Sequence, residues 1–157
     1  MRSATPKVLH TLAGRSMLGH AMVAARELSP QRIAVVVRHE RDLVAGAALQ
    51  VVPSALVVDQ DDVPGTGRAV QCAVEALDVR AQAEAAAHGV PIGHEGRGPV
   101  EGLEGSVVVL AGDIPLLDAA TLTELLGAHH AGGNAVTVLT TEVDDATGYG
   151  RDRKSVV

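Results

Sequence analysis

The sequence predicts an α/β fold built on a mainly parallel sheet. Short apolar runs of strand length alternate with stretches that place apolar residues at helical spacing. The run Val107–Leu110 is continuous rather than alternating in polarity, the pattern of a strand buried on both faces. The turn that follows it carries a lone acid, Asp113, where open α/β sheets bind their ligands, at the carboxyl ends of strands.

The elements follow in order. From Arg15 to Leu28, residues Met17, Leu18, Ala21, Met22, Ala25 and Leu28 keep helical spacing, and Ser29-Pro30 stops the helix. Ile33–Val37 is a strand of the buried type, followed by a charged turn at Arg38-His39-Glu40-Arg41. Ala55–Val58 is a further short strand, and Gly65-Thr66-Gly67 opens a helix through Leu77. Between Arg80 and Gly105 the chain is rich in Ala, Gly, Glu and His, which predicts an Ala-rich helix extension and then a flexible loop. Val107–Leu110 comes next, then a helix from about Asp118, its N-cap, to His130, and a last strand at Ala135–Leu139. Asp152–Val157 reads as a translated sequencing adapter and is set aside from fold reasoning.

Composition narrows the function. A chain of 157 residues suits one domain and can bury a real core. The net charge of −6 and the lack of a basic stripe argue against nucleic-acid binding. With no Phe or Trp and one Tyr, base stacking on aromatic platforms is also disfavoured. The single cysteine, Cys72, excludes an internal disulfide framework. With no signal peptide and no apolar run of membrane-span length, the expected location is cytoplasmic and no membrane partner is expected.

Four segments could carry chemistry. Gly112 and Asp113 stand in a tight turn stiffened by Pro115, where the carboxylate could hold a hard divalent cation against phosphate oxygens or simply cap the turn. Lys7, in Thr5-Pro6-Lys7-Val8-Leu9, is either a point charge for a phosphate or a solvated surface lysine. Gly65-Thr66-Gly67 could turn backbone N–H groups toward a ligand or form a plain turn. It lacks the third glycine of a dinucleotide fingerprint and any Gly-Lys-Ser/Thr sequel. Gln60 could pair through its carboxamide with one donor and one acceptor of a base edge, or face solvent. His88 and His94 have no cysteine or carboxylate at ligand spacing, so no metal role is expected of them.

The order of these motifs resembles one family. Thr5-Pro6-Lys7-Val8-Leu9 with Leu12-Ala13-Gly14 comes first, then Gln60 with Gly65-Thr66-Gly67. Gly112-Asp113 with Pro115-Leu116-Leu117 follows, and then Asp144-Asp145 with Gly148-Tyr149-Gly150-Arg151. Together they resemble the uridylyltransferase half of bacterial bifunctional N-acetylglucosamine-1-phosphate uridylyltransferase/glucosamine-1-phosphate acetyltransferases. The resemblance implies a Rossmann-like nucleotidyltransferase (sugar-nucleotide pyrophosphorylase) fold over residues 1–151, interrupted by the insertion at about 80–105. It also implies a reaction in which UTP and N-acetylglucosamine 1-phosphate give UDP-N-acetylglucosamine, a peptidoglycan precursor, and pyrophosphate. By the same resemblance Asp113 ligates Mg²⁺, Lys7 contacts nucleotide phosphate, and Gln60 with the Gly65-Thr66 backbone reads the uracil edge. Gly112 lets the ribose approach, Ala111 is a further substrate-binding position, and Gly150 touches the sugar.

The family pattern also contains features that these residues do not. Met1 aligns just after a Leu-Ala-Ala-Gly-x-Gly-Thr-Arg phosphate loop and its first strand, and the chain stops before a later Glu and two Asn residues. The β-helical acetyltransferase domain, through which family members trimerise, is also absent. The expectation is a fragment truncated at both ends, with its first strand missing and little or no activity alone. Each lost transition-state donor is worth roughly 3 kcal/mol, and the strand edges beside the missing strand would lack partners. Two alternatives remain at this level: another sugar-1-phosphate nucleotidyltransferase, and a non-catalytic nucleotide-binding module.

Overall fold

The computed structural model describes residues 5–87, 105–145 and 147. Backbone contacts group the chain into two units, Met1–Leu122 and Thr123–Val157.

The first unit opens with a turn of 3-10 helix at Lys7–Leu9, started by Pro6, whose carbonyl accepts the Leu9 N–H at 2.9 Å. A hairpin follows, β1 (Thr11–Leu12) and β2 (Arg15–Ser16), paired Thr11 to Ser16 and Leu12 to Arg15. Its two turn residues, Ala13 and Gly14, both take left-handed backbone, at φ 49° and 80°. That is the type I′ arrangement, whose twist matches the strands it joins. The hairpin takes up Arg15 and Ser16, so the helix expected from Arg15 starts later. Ser16 caps helix α1 (Met17–Glu27), its Oγ accepting the Gly19 N–H at 3.0 Å. Ser29, at φ 51°, ends it ahead of Pro30.

Strands β3 (Ala34–Val37) and β4 (Leu56–Asp59) pair in parallel, Ala34 against Leu56 through Val37 against Asp59. Helix α2 (Arg41–Val51) joins them. The sequence reading placed only a charged turn there. A parallel pair nevertheless needs a crossover, and Val44, Ala45 and Ala48 supply its buried face. Leu18 and Met22 of α1, Val35 and Val37 of β3, Val44 and Ala48 of α2, and then Val52 and Ala55 form one apolar cluster. Helix α3 (Thr66–Ala87) continues past Leu77 through the expected Ala-rich extension and packs on β3 and β4. Its buried Cys72 and Ala81 stand outside that cluster. Helix α4 (Ala119–Gly132) starts where expected, with Asp118 Oδ1 accepting the Thr121 N–H at 2.9 Å.

Two expected strands do not form. Val107–Leu110 and Ala135–Leu139 have no ladder partner, and Val107, Val109, Val136 and Val138 are all more than half exposed. Apolar β-branched residues suit a buried strand, but a strand exists only through hydrogen bonds to a neighbour. Among the described residues the ladders are β1–β2 and β3–β4 alone. In the second unit, the segment after Gly133 folds back on the end of α4 through a hydrogen bond between His129 Nδ1 and Thr137 Oγ1 at 3.0 Å. The insertion from residue 88 to 104, Gly150 and the segment 152–157 lie outside the described residues.

Candidate active site

Lys7 and Asp113 meet although 106 positions separate them. Lys7 Nζ donates to Asp113 Oδ2 at 2.6 Å. The turn at Lys7–Leu9 is anchored by Val8 and Leu9, which pack against the apolar cluster, and this leaves Lys7 exposed at its start. A Cβ added to Gly112 would lie 3.4 Å from Leu18 and 3.5 Å from Val8. The Gly112 backbone therefore rests on the turn that carries Lys7 and on α1, and the next residue reaches the ammonium. The hydrogen bond from Lys7 holds the Asp113 carboxyl below the usual carboxylate range, against the opposing effect of partial burial. The pair is accessible, with Lys7 65% and Asp113 34% exposed. Ala111, also exposed, precedes it in the same loop.

Gln60 lies at the carboxyl end of β4, where its N–H continues the parallel ladder to Val37 O at 2.9 Å. Its carboxamide turns into the loop. Nε2 donates to Val63 O at 2.9 Å and to Gly65 O at 3.1 Å. Two carbonyl acceptors fix which end of the amide is nitrogen, so Oε1 is the atom left to an outside donor. Gly65 has φ +124°, a conformation side chains rarely adopt, and from it α3 starts at Thr66, its first N–H groups having no partner within the helix. The structure thus gathers Gln60, Gly65 and Thr66 in one loop, and Lys7 with Ala111, Gly112 and Asp113 in another.

Sequence reasoning missed the arginines around the Gln60 loop. Arg41 Nε donates to Asp59 Oδ1 at 2.9 Å, and Arg38 donates to Asp62 O at 3.2 Å. Arg68 donates from Nε and NH2 to Asp61 Oδ2 at 2.8 and 2.6 Å. The signal was available as three aspartates within four residues, flanked by arginines on either side. The arginine contact keeps the Asp61 carboxyl below its usual range. A cleft of about 590 Å³ lies at the other end of the sheet, beside Ile33 and Leu56 at the amino ends of β3 and β4. Arg26, Arg32, Arg80 and Glu84 line it, and it contains none of the expected site residues.

Asp113 fits a magnesium ion that arrives with nucleotide phosphates. Such an ion takes one or two carboxylates from the protein and keeps water and phosphate oxygens elsewhere. One accessible, ionised carboxylate meets that need. Among the described residues no group of three or more His, Cys, Asp or Glu could hold a metal by itself.

The model of the MobA-like NTP transferase domain matches residues 1–149. The chain belongs to the MobA-like NTP transferase family. This family has the α/β nucleotidyltransferase fold expected from the sequence, and β3 and β4 are part of its parallel sheet. The domain is 52% identical over 151 residues to the bifunctional protein GlmU of Pseudarthrobacter chlorophenolicus. It is 53% identical to that of Paenarthrobacter aurescens and 54% identical to that of Kineococcus radiotolerans. Each match covers 96% of this chain and 26–27% of the relative, so the chain spans about a quarter of the length of these curated relatives. These matches bear out the resemblance drawn from the motifs. Among the described residues of this NTP transferase domain, no helix is long and apolar enough to cross a membrane.

Proposed function

We propose that this domain is the uridylyltransferase part of an enzyme that joins UTP to N-acetylglucosamine 1-phosphate, forming UDP-N-acetylglucosamine for the cell wall and releasing pyrophosphate. The observation that carries the proposal is the meeting of Lys7 and Asp113, a cation and a carboxylate delivered to one accessible point by distant motifs. In this reaction an oxygen of the sugar phosphate attacks the α-phosphorus in line, the bond to pyrophosphate breaks, and pyrophosphate leaves with the electron pair. Such chemistry needs positioning and charge neutralisation more than covalent help. Lys7 supplies a point charge for phosphate oxygens. Asp113 would hold Mg²⁺, which offsets the charge that builds on the phosphates.

Base recognition falls to the Gln60 loop. With both amide hydrogens spent on Val63 and Gly65, Gln60 offers only Oε1. An acceptor suits the imide N–H of uracil, and the first N–H groups of α3, without a partner within the helix, suit a flanking uracil carbonyl. Cytosine presents a lone pair where uracil presents that hydrogen, so it is repelled. Gly112, whose backbone rests on Val8 and Leu18, would border the ribose beside Ala111, and Gly150 would serve the sugar. The lone Cys72 supports a reducing, cytoplasmic setting.

Nucleotide binding is the direct readout of this reading. Calorimetric titration with UTP, TTP and CTP, with and without Mg²⁺, tests the reading. UTP should bind more tightly with Mg²⁺ than without it, and more tightly than CTP. Equal binding of UTP and CTP, or a Mg²⁺ effect that survives Asp113→Asn, would overturn it.

A further inference from the structure

We infer that the Arg68–Asp61 ion pair is a clamp that sets the base selectivity of the Gln60 loop, with Arg68 a positioning residue that acts through Asp61 rather than on the ligand. The inference rests on the reading of Gln60 as the base-recognition residue and adds a part that reading does not need.

The geometry is local and complete. Arg68, in the first turn of α3, places Nε and NH2 on a single oxygen of Asp61, at 2.8 and 2.6 Å. The other carboxylate oxygen, Oδ1, accepts the Val63 N–H at 3.2 Å. Asp61 therefore ties the helix to the loop backbone at Val63. Val63 is also the residue whose carbonyl accepts Gln60 Nε2. The chain of contacts runs from Arg68 to Asp61, to the Val63 N–H, and through the Val63 backbone to its carbonyl and the Gln60 amide. Releasing Asp61 loosens the backbone at Val63, and the Gln60 amide then keeps only Gly65 O as a firm acceptor, so Oε1 is aimed less tightly.

A planar guanidinium with two parallel N–H groups fixes direction as well as charge, which a lysine ammonium does not. Arg68 also has a second acid in reach, Glu75 at 3.5 Å, so a lost Asp61 leaves it a partner on its own helix. Arg41 holds Asp59 from the β3 side, and Arg38 donates to Asp62 O, the carbonyl of the peptide whose N–H Asp61 accepts, so that peptide is held at its oxygen by Arg38 and at its N–H by the Arg68–Asp61 pair. An exposed ion pair contributes little to global stability. Its value here lies in holding the loop ready before the ligand arrives.

The test titrates UTP and CTP into the full chain and its Arg68→Gln, Arg68→Lys and Asp61→Asn variants, with thermal unfolding alongside. A broken clamp should weaken UTP about tenfold and lower the UTP-to-CTP preference by a similar factor, with little change in melting temperature. Arg68→Lys should recover only part of the preference. Unchanged UTP binding, or equal losses for UTP and CTP, would overturn the inference, the second outcome making Arg68 a charge for the triphosphate. Amide exchange at Val63 gives a readout without nucleotide: faster exchange in Arg68→Gln supports the clamp, and unchanged exchange overturns it. A wild-type chain that fails to bind UTP defeats the base-recognition reading itself, whereas wild-type binding with indifferent variants defeats only the clamp.

Discussion

Gln60→Glu is the most informative single change in this domain. The two side chains have the same shape, so no packing is lost. What changes is the group that meets two carbonyl oxygens at 2.9 and 3.1 Å. Two donated hydrogen bonds disappear, each worth about 1 kcal/mol net, and a carboxylate oxygen faces acceptors instead. The loop is open to water and the carboxylate can swing outward, so the cost stays near the sum of the two lost bonds, about 2 kcal/mol. If the ordered loop is what binds uracil, that is a loss of roughly 30-fold in UTP affinity. The effect has a pH signature. A glutamate titrates near pH 4.3 in water, about where the protonated acid would regain one donor. The ratio of variant to wild-type affinity, measured by calorimetry, should therefore be lowest near neutral pH and recover as the pH falls toward 5. A ratio of one at neutral pH, or a deficit that grows on acidification, would refute the assignment of the Gln60 amide.

Three further outcomes are expected. Gly112 does not require left-handed backbone and an added Cβ would meet Leu18 and Val8 at 3.4 and 3.5 Å, so Gly112→Ala should shift stability by less than about 0.5 kcal/mol, as read by thermal unfolding. Ala13 takes φ 49° in a type I′ turn, where asparagine is far better tolerated, so Ala13→Asn should stabilise the domain by about 0.5–1 kcal/mol in urea unfolding. The lowered Asp113 carboxyl contributes stability that is present above the unfolded pKa and lost as pH falls through the folded one. Denaturation of wild type and Asp113→Asn should therefore differ by about 0.5 kcal/mol at neutral pH, after allowance for exposure, and converge only once the pH has fallen below the lowered folded-state value.

The elements legible in the sequence were those fixed by their own residues. Helix α1 announced itself through Leu18, Ala21 and Met22, β3 and β4 through valines bounded by polar turns, and α4 through the Asp118 cap. Helix α2 was hidden behind the charges of Arg41 and Asp42, although Val44, Ala45 and Ala48 kept the period and a parallel pair required a crossover. Val107–Leu110 and Ala135–Leu139 show the opposite error. Their residues suit a strand, but strand formation is decided by a neighbour, and a one-dimensional pattern does not report whether a neighbour is there. At the site, Lys7 and Asp113 could be chosen as chemistry but not joined. What joins them is the seat of Gly112 on Val8 and Leu18, a tertiary contact with no local signature.

The two loops of the candidate site are held by different physics, and this bears on how a ligand would use them. The Gln60 loop is closed by hydrogen bonds that use up its own donors, so its one outward acceptor is already oriented and a base binding there orders little. Lys7 and Asp113, by contrast, neutralise each other across 2.6 Å in an accessible place. Under the proposed function Lys7 would pair with the phosphates and Asp113 with their cation, so binding would exchange one ion pair for two without leaving a charge unmatched. An exposed pair is cheap to open, whereas a buried one would resist and a lone carboxylate would be poorly held. Fixed geometry for the base and an exchangeable pair for the phosphates is the arrangement a site needs if it must recognise one end of a ligand while chemistry proceeds at the other.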